Sequence, residues 1–236
     1  MPAGESVVRP ASACPACGHE VRPRDNVPVL SWLLLRGRCR DCAAPISARY
    51  PLVEVATSVL FAVLALRFGP DPALPAFLYL GAVCVALAAI DLDCHRLPDV
   101  LTLPGYAVGA VLLGAAALAD GQPEELLRAG AGLLVLGGVY LLLWYGAAAR
   151  GGMGFGDVKL AGVLGLFLGF LGWDVLAVGA LLGPFVGGAV AVVALAAGKA
   201  GRRTALPYGP PMIVGALVAV VAGEPLAALW LGTAAG

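Results

Sequence analysis

The sequence predicts an all-α polytopic membrane protein, with about seven transmembrane helices behind a polar, cysteine-bearing N-terminal head. Three observations predict it. Of 236 residues, 60% are hydrophobic and 13% charged, against roughly 45–50% and 25% in an average soluble domain, which excludes a water-soluble globule. The 33 glycines and 18 prolines lie inside long apolar runs, which disordered chains lack. Residues 1–50, by contrast, hold seven arginines and four of the six cysteines, and no apolar run there approaches the ~20 residues that cross a bilayer. Fifteen basic and fifteen acidic residues cancel, so net charge offers nothing to nucleic acid. Membrane lipid is the expected surrounding.

The domain division follows, with a head over 1–50 and a membrane domain over 51–236. Apolar stretches place spans near 52–68, 74–90, 100–118, 129–148, 158–173, 175–197 and 211–232. Glu224-Pro225 interrupts the last, leaving one span open to being broken or re-entrant. Loops rich in Lys and Arg stay cytoplasmic. With the head inside, the inside set is its arginines (Arg9, Arg22, Arg24, Arg36, Arg38, Arg40, Arg49) with Arg96, Arg150, Lys159, Lys199, Arg202 and Arg203, 13 of the 15 basic residues. Only Arg67 and Arg128 fall outside, and shifting the parity by one span would break this separation. Met1 to Ala13 has no apolar core of a signal peptide. Gly165 and Gly169, then Gly179, Gly183 and Gly187, recur every fourth residue and predict close helix approach.

Asp91, Asp93, Asp99 and Asp157 sit at or beside span ends on the cytoplasmic side. AIDLDCHRLPDVLTLPG carries Asp91 from the second span toward the third, and GMGFGDVKLAG places Asp157 after Gly154-Phe155-Gly156 at the start of the fifth. By span parity both lie on one membrane face at similar depth, so they are able to meet. A lone Asp at a helix start reads most simply as an N-cap. Asp91, however, is expected to end a helix, where the macrodipole disfavours negative charge. Ionisable residues at membrane depth are costly and mark function. Two carboxyls within a few Å share one proton, which supplies a general base for water and a general acid for a leaving amine. Glycines around Asp157 admit a close substrate backbone.

In the head, Cys14-Pro-Ala-Cys17 and Cys39-Arg-Asp-Cys42 form C-x2-C-x21-C-x2-C. A spacing of two lets both thiolates of a pair reach one ion, and four thiolates close a structural zinc site, making the head zinc-ribbon-like. The gap of 21 is slightly beyond the usual range for this pattern. Paired disulfides fit poorly with a reducing cytoplasm, and a redox C-x-x-C lacks its βαβ surroundings. His19 reads as a surface histidine, Cys84 as packing, and Cys94 as a loop residue without a sequence partner.

These residues together resemble the type IV prepilin leader peptidases, membrane aspartic peptidases of the GxGD kind. The resemblance spans nearly the whole chain. It rests on the head from Ser12 to Glu54, on IDLDCHRLPDVLTLP, on GMGFGDVKL and on LPYGPPMIVGA, in family order. It implies catalytic aspartates at Asp91, rather than Asp93, and at Asp157. It also implies a multi-pass inner-membrane enzyme that cuts the leader from prepilins or pseudopilins at the cytoplasmic face. Members with the cysteine head typically also methylate the new N-terminus with S-adenosylmethionine, and Glu54 matches an acid associated with that activity. The head shows no glycine-rich nucleotide loop, so methylation rests on the resemblance alone.

Another class of protein, a proton-coupled transporter, would use Asp91 and Asp157 as relay carboxylates. Its substrate site is expected near mid-bilayer between repeated halves, and neither feature is read here. A membrane-anchored zinc adaptor without activity is a third reading. Family members usually begin with a transmembrane helix before the sequence resembling Gly4 to Pro15, so the resemblance predicts one more helix encoded upstream of Met1. The extended form should then be more stable in detergent than this one. Translating the upstream DNA in frame, and melting both forms, checks this.

Overall fold

The computed structural model describes residues 13–148, 153–198 and 207–231. Two compact units, Met1–Leu60 and Phe61–Gly236, divide inside a helix. Among the described residues there is no strand beyond two isolated bridges, Ala13 with Glu20 and Arg38 with Pro45. Arg9, Arg150, Lys199, Arg202 and Arg203 of the charge asymmetry lie outside the described residues, as do Gly152 and Leu206 of the motifs.

The first unit holds a 3-10 turn at Pro23–Asp25, the short helix α1 (Leu30–Leu34) and the start of α2 (Arg49–Phe68). Its polar groups are tied locally. Arg40 grips Asp25 through two bonds of 2.8 and 2.6 Å, a bidentate geometry that fixes orientation as well as charge. The Trp32 indole N–H donates to the Ile46 carbonyl at 3.1 Å. Gly37, at φ +68°, lies under the Trp32 ring, where a Cβ would sit 2.9 Å from it; both the turn and the ring demand glycine.

The second unit is a helical bundle: the rest of α2, α3 (Leu74–Cys94), α4 (Asp99–Ala119), α5 (Glu124–Ala148), α6 (Phe155–Leu171), α7 (Trp173–Ala196) and α8 (Gly209–Leu231). Each of the seven expected spans coincides with one of the long helices α2 to α8. Six are long and apolar enough to cross a membrane. The exception is α6, whose 17 residues rise about 25 Å against a ~30 Å hydrocarbon core. Its turns are also shifted from the expected 158–173. The expected break at Glu224-Pro225 is a kink: α8 continues through it, with Ala222 alone off helical geometry at φ −134°. That residue directly follows Val221, whose carbonyl, four residues before Pro225, is the one a proline ring crowds.

The short helix is the centre of the bundle. From Asp157 to Phe170 every residue but Lys159 is buried, and α4, α5, α7 and α8 all pack on it. Glycine makes this possible. A Cβ on Gly132 of α5 would meet the Gly165 carbonyl and lie 2.8 Å from the Gly169 Cα, and one on Gly137 would lie 3.3 Å from the Gly162 Cα. Gly162 faces the Tyr106 hydroxyl of α4, which donates to the Lys159 carbonyl at 2.6 Å. On the other side, Gly179 meets Leu168 and Ala219, and Gly215 meets the Gly183 backbone. The every-fourth glycines are therefore interhelical contacts, as the spacing predicts.

Both basic residues expected on the outer side are engaged. Arg67 pairs with Glu224 at 2.8 Å. Arg128 donates to the Gly169 and Phe170 carbonyls at 2.9 and 2.5 Å, closing the C-terminal end of α6, where a cation suits the helix dipole.

Gly165→Ala should lower stability in an SDS or thermal unfolding titration by about 1–3 kcal/mol, because the added methyl meets backbone that cannot yield. Gly138→Ala on α5, with nothing within 4 Å of its Cβ position, should leave the transition unchanged.

Candidate active site and cysteine cluster

Among the described residues, Asp91 and Asp157 are the two buried acids of the bundle, 5% and 8% exposed. The expectation that Asp91 ends its helix is corrected: α3 runs on to Cys94, so Asp91 lies within the last turn. His95 closes that turn in the left-handed region, φ 51°, its N–H donating to the Asp91 carbonyl at 2.9 Å. The Asp91 side chain accepts a hydrogen bond from the Gly209 N–H, 3.0 Å from Oδ2. Asp93, two residues on, is exposed, because residues two apart face different sides of a helix.

Asp157 is not the N-cap of α6. Gly154 is, and Asp157 stands three residues later, its carboxyl folded back toward Gly154, the position from which an acid reaches the free N–H groups of a first turn. Asp91 is near enough to act electrostatically on Asp157. Leu97, in the link from α3 to α4, lies between their neighbours. A Cβ on Gly156 would sit 3.0 Å from Leu97 Cβ, and one on Gly209 would sit 3.3 Å from Leu97 Cδ2. The two glycines thus let the starts of α6 and α8 close on one leucine.

Further groups lie at the start of α6 and on α5. Lys159 bonds Asp99 at 2.6 Å, tying the start of α6 to the start of α4, and stands 5.3 Å over the Phe155 ring. Tyr140 of α5, 4% exposed, faces the Tyr208 ring at 6.3 Å and interacts with Asp157. Sequence reasoning missed Leu97, Tyr140 and the Asp99–Lys159 pair. Nothing in an apolar run marks one tyrosine or leucine, and an ion pair spanning 60 residues has no local signature. The turn Pro207-Tyr208-Gly209-Pro210 was visible as a motif, but its hydrogen bond to Asp91 was not.

In the other unit, the sulfurs of Cys14, Cys17, Cys39 and Cys42 lie within 4.8 Å of one another. Cys14 and Cys42 are 3.8 Å apart, about the edge of a tetrahedron with ~2.3 Å metal–sulfur bonds. The two pairs sit on matching tight turns. Gly18 donates to the Cys14 carbonyl at 2.8 Å and Ala43 to the Cys39 carbonyl at 3.0 Å, while Cys14 and Cys39 donate to the carbonyls of His19 and Ala44. The residue after each pair has positive φ, +72° at Gly18 and +58° at Ala43. The N–H groups of Ala16 and Cys17 bring the Cys14 thiol down to about 6. At Cys17 the His19 N–H favours the thiolate, but desolvation and the neighbouring thiols outweigh it and push the group up to about 12. One negative charge on the cluster opposes the next, and a bound dication would remove that repulsion. His19 is exposed and outside the four-sulfur group. Cys84 is buried in α3 and Cys94 exposed.

Glu54, on α2, accepts the Val29 N–H at 2.6 Å. Val29 precedes α1 at φ 60°, a costly conformation for a β-branched residue, and the carboxylate is one of the contacts that hold it.

Residues 1–68 match the bacterial peptidase A24 N-terminal domain, and residues 77–194 match the type IV leader peptidase family. A prepilin leader peptidase/N-methyltransferase of Burkholderia pseudomallei (strain 1026b) is 40% identical over 227 residues, covering 95% of this chain and 71% of the relative. Proteins of the same name from Aeromonas hydrophila and Pseudomonas aeruginosa are 39% and 37% identical, covering 94% and 96% of this chain and 75% and 76% of theirs. No solved structure matches. Because the matches reach from the cysteine turns through both acid-bearing helices, this chain belongs to the type IV leader peptidase family.

Proposed function

We propose that this chain is an aspartic endopeptidase of the cytoplasmic membrane that removes the leader of prepilins or pseudopilins at the cytoplasmic face and methylates the new N-terminus. The observation that carries the peptidase reading is that the two buried acids of the bundle stand in the last turn of α3 and the first turn of α6, near enough for one to act electrostatically on the other. One carboxylate takes a proton from water as the water oxygen adds to the scissile carbonyl carbon. The other, protonated, gives its proton to the leaving nitrogen as the C–N bond breaks, yielding a carboxylate on the leader and an amine on the mature pilin. The cytoplasmic placement rests on the distribution of Arg and Lys between loops. Nothing observed favours a transporter with the same two acids as relay groups.

Zinc suits the head: four thiolates in tetrahedral reach and no open position leave it a structural role, with Cys14, Cys17, Cys39 and Cys42 as ligands. By function the chain divides into a head of residues 1–50 and a membrane domain of residues 51–236. S-adenosylmethionine, the methyl donor implied by the relatives' name, enters by kinship. Glu54, the acid that the resemblance associates with methylation, has one oxygen committed to the Val29 N–H.

Asp91→Asn and Asp157→Asn should each abolish leader cleavage in membranes co-expressing a prepilin, since an amide of the same shape cannot exchange the catalytic proton. Asp93→Asn should cleave nearly normally. Full activity in either of the first two variants would remove this mechanism.

Cys14→Ser or Cys42→Ser should lower zinc content and reduce methylation or head stability more than hydrolysis. Metal analysis beside parallel cleavage and methylation assays checks this; instant loss of cleavage on adding a chelator would contradict a structural role.

A further inference from the structure

The turn Pro207-Tyr208-Gly209-Pro210 lies outside both family matches and takes no part in the chemistry above, yet its one glycine touches an acid. Gly209 N–H is 3.0 Å from Asp91 Oδ2. A side chain at this position would displace the carboxylate, since a Cβ there would lie 2.7 Å from that same oxygen, 3.3 Å from Asp91 Cγ and 3.3 Å from Leu97 Cδ2. The turn is itself held. Tyr208 packs where a Cβ on Gly187 of α7 would be 3.2 Å from its ring, Pro211 where it would be 3.5 Å away, and the Met212 N–H donates to the Tyr208 carbonyl at 3.3 Å as α8 begins. Tyr140 faces Tyr208 from α5.

We propose that Gly209 is a positioning residue for the cleavage reaction: its main-chain N–H holds Asp91 Oδ2 and leaves Oδ1 as the oxygen that works with Asp157. This rests on the peptidase reading. A carboxyl near the end of a helix has two torsions free until a donor fixes them. The N–H removes that freedom from a donor that is itself rigid, because it belongs to a turn flanked by prolines and wedged between α7 and α5. Glycine permits two close approaches, that of the carboxylate and that of Leu97, which also lies against Gly156 beside Asp157. The α8 turn therefore sets the orientation of the α3 acid toward the α6 acid, though it supplies no reacting group.

The test uses the full chain in lipid nanodiscs with a prepilin-type peptide. Gly209→Ala should lower kcat about 100-fold, the scale of a small misplacement of a reacting group, with KM within about twofold and an unfolding midpoint close to that of the parent. Exchange of the Gly209 amide for an ester, by incorporating the hydroxy acid, deletes the N–H without adding a side chain, and should lower kcat roughly 10- to 100-fold. It decides the matter alone should the alanine variant fail to fold. An ester form with parental kcat, or one that loses KM and stability while kcat is kept, overturns the proposal. Asp91→Asn run alongside separates the two readings. If it is inactive while the ester form is fully active, only the role of Gly209 fails; if it is active, the peptidase mechanism fails with it.

Discussion

The structure of the membrane unit depends on burying one short helix on all sides. A 17-residue helix is shorter than the hydrocarbon core of a bilayer, so its place has to come from other helices. Lipid tails are as apolar as leucine, and helix association must therefore come from close van der Waals contact, which needs small residues. Gly162, Gly165 and Gly169 put backbone on three successive turns of α6, and Gly132 and Gly137 of α5 answer them. The larger residues fill what remains: Phe167 is fully buried and meets Phe77 of α3 edge-on at 5.7 Å.

The burial of α6 positions charge at both its ends. At the C-terminal end Arg128 satisfies two carbonyls that have no partner within the helix. At the N-terminal end Asp157 is carried into the bundle at the level of the last turn of α3. The two basic residues that depart from the inside bias are thus accounted for by specific partners, Arg128 on α6 and Arg67 on Glu224. A charge bias sets orientation in aggregate, and single exceptions are tolerated where a local partner satisfies them.

The head is built on different terms. With little apolar surface to bury, it is organised by turns and polar pairs: two matching cysteine turns, the Asp25–Arg40 fork and the Arg22–Asp41 pair at 2.9 Å. Surface ion pairs contribute little each, which is why the convergence of four thiols matters there. Four left-handed residues that are not glycine occur among the described residues, and three of them (Val29, Arg36 and Ala43) lie in this unit.

The sequence by itself determined the class of protein, the number and approximate place of the helices, the four thiols and the two acids. These signals are local or compositional: apolar run length reports partition into lipid, C-x-x-C spacing reports reach to one ion, and an acid at a span end stands out because charge is costly there. Tertiary structure decided how these pieces are placed. It extended α3 past Asp91, made Gly154 rather than Asp157 the cap of α6, turned the break at Pro225 into a kink and put the shortest span at the centre. It also brought the Gly209 N–H to Asp91 across 118 residues. Contacts of that kind depend on which helix faces which, and in a chain where nearly every face is apolar, hydrophobicity cannot encode it; the discrimination lies in where single glycines let backbones touch.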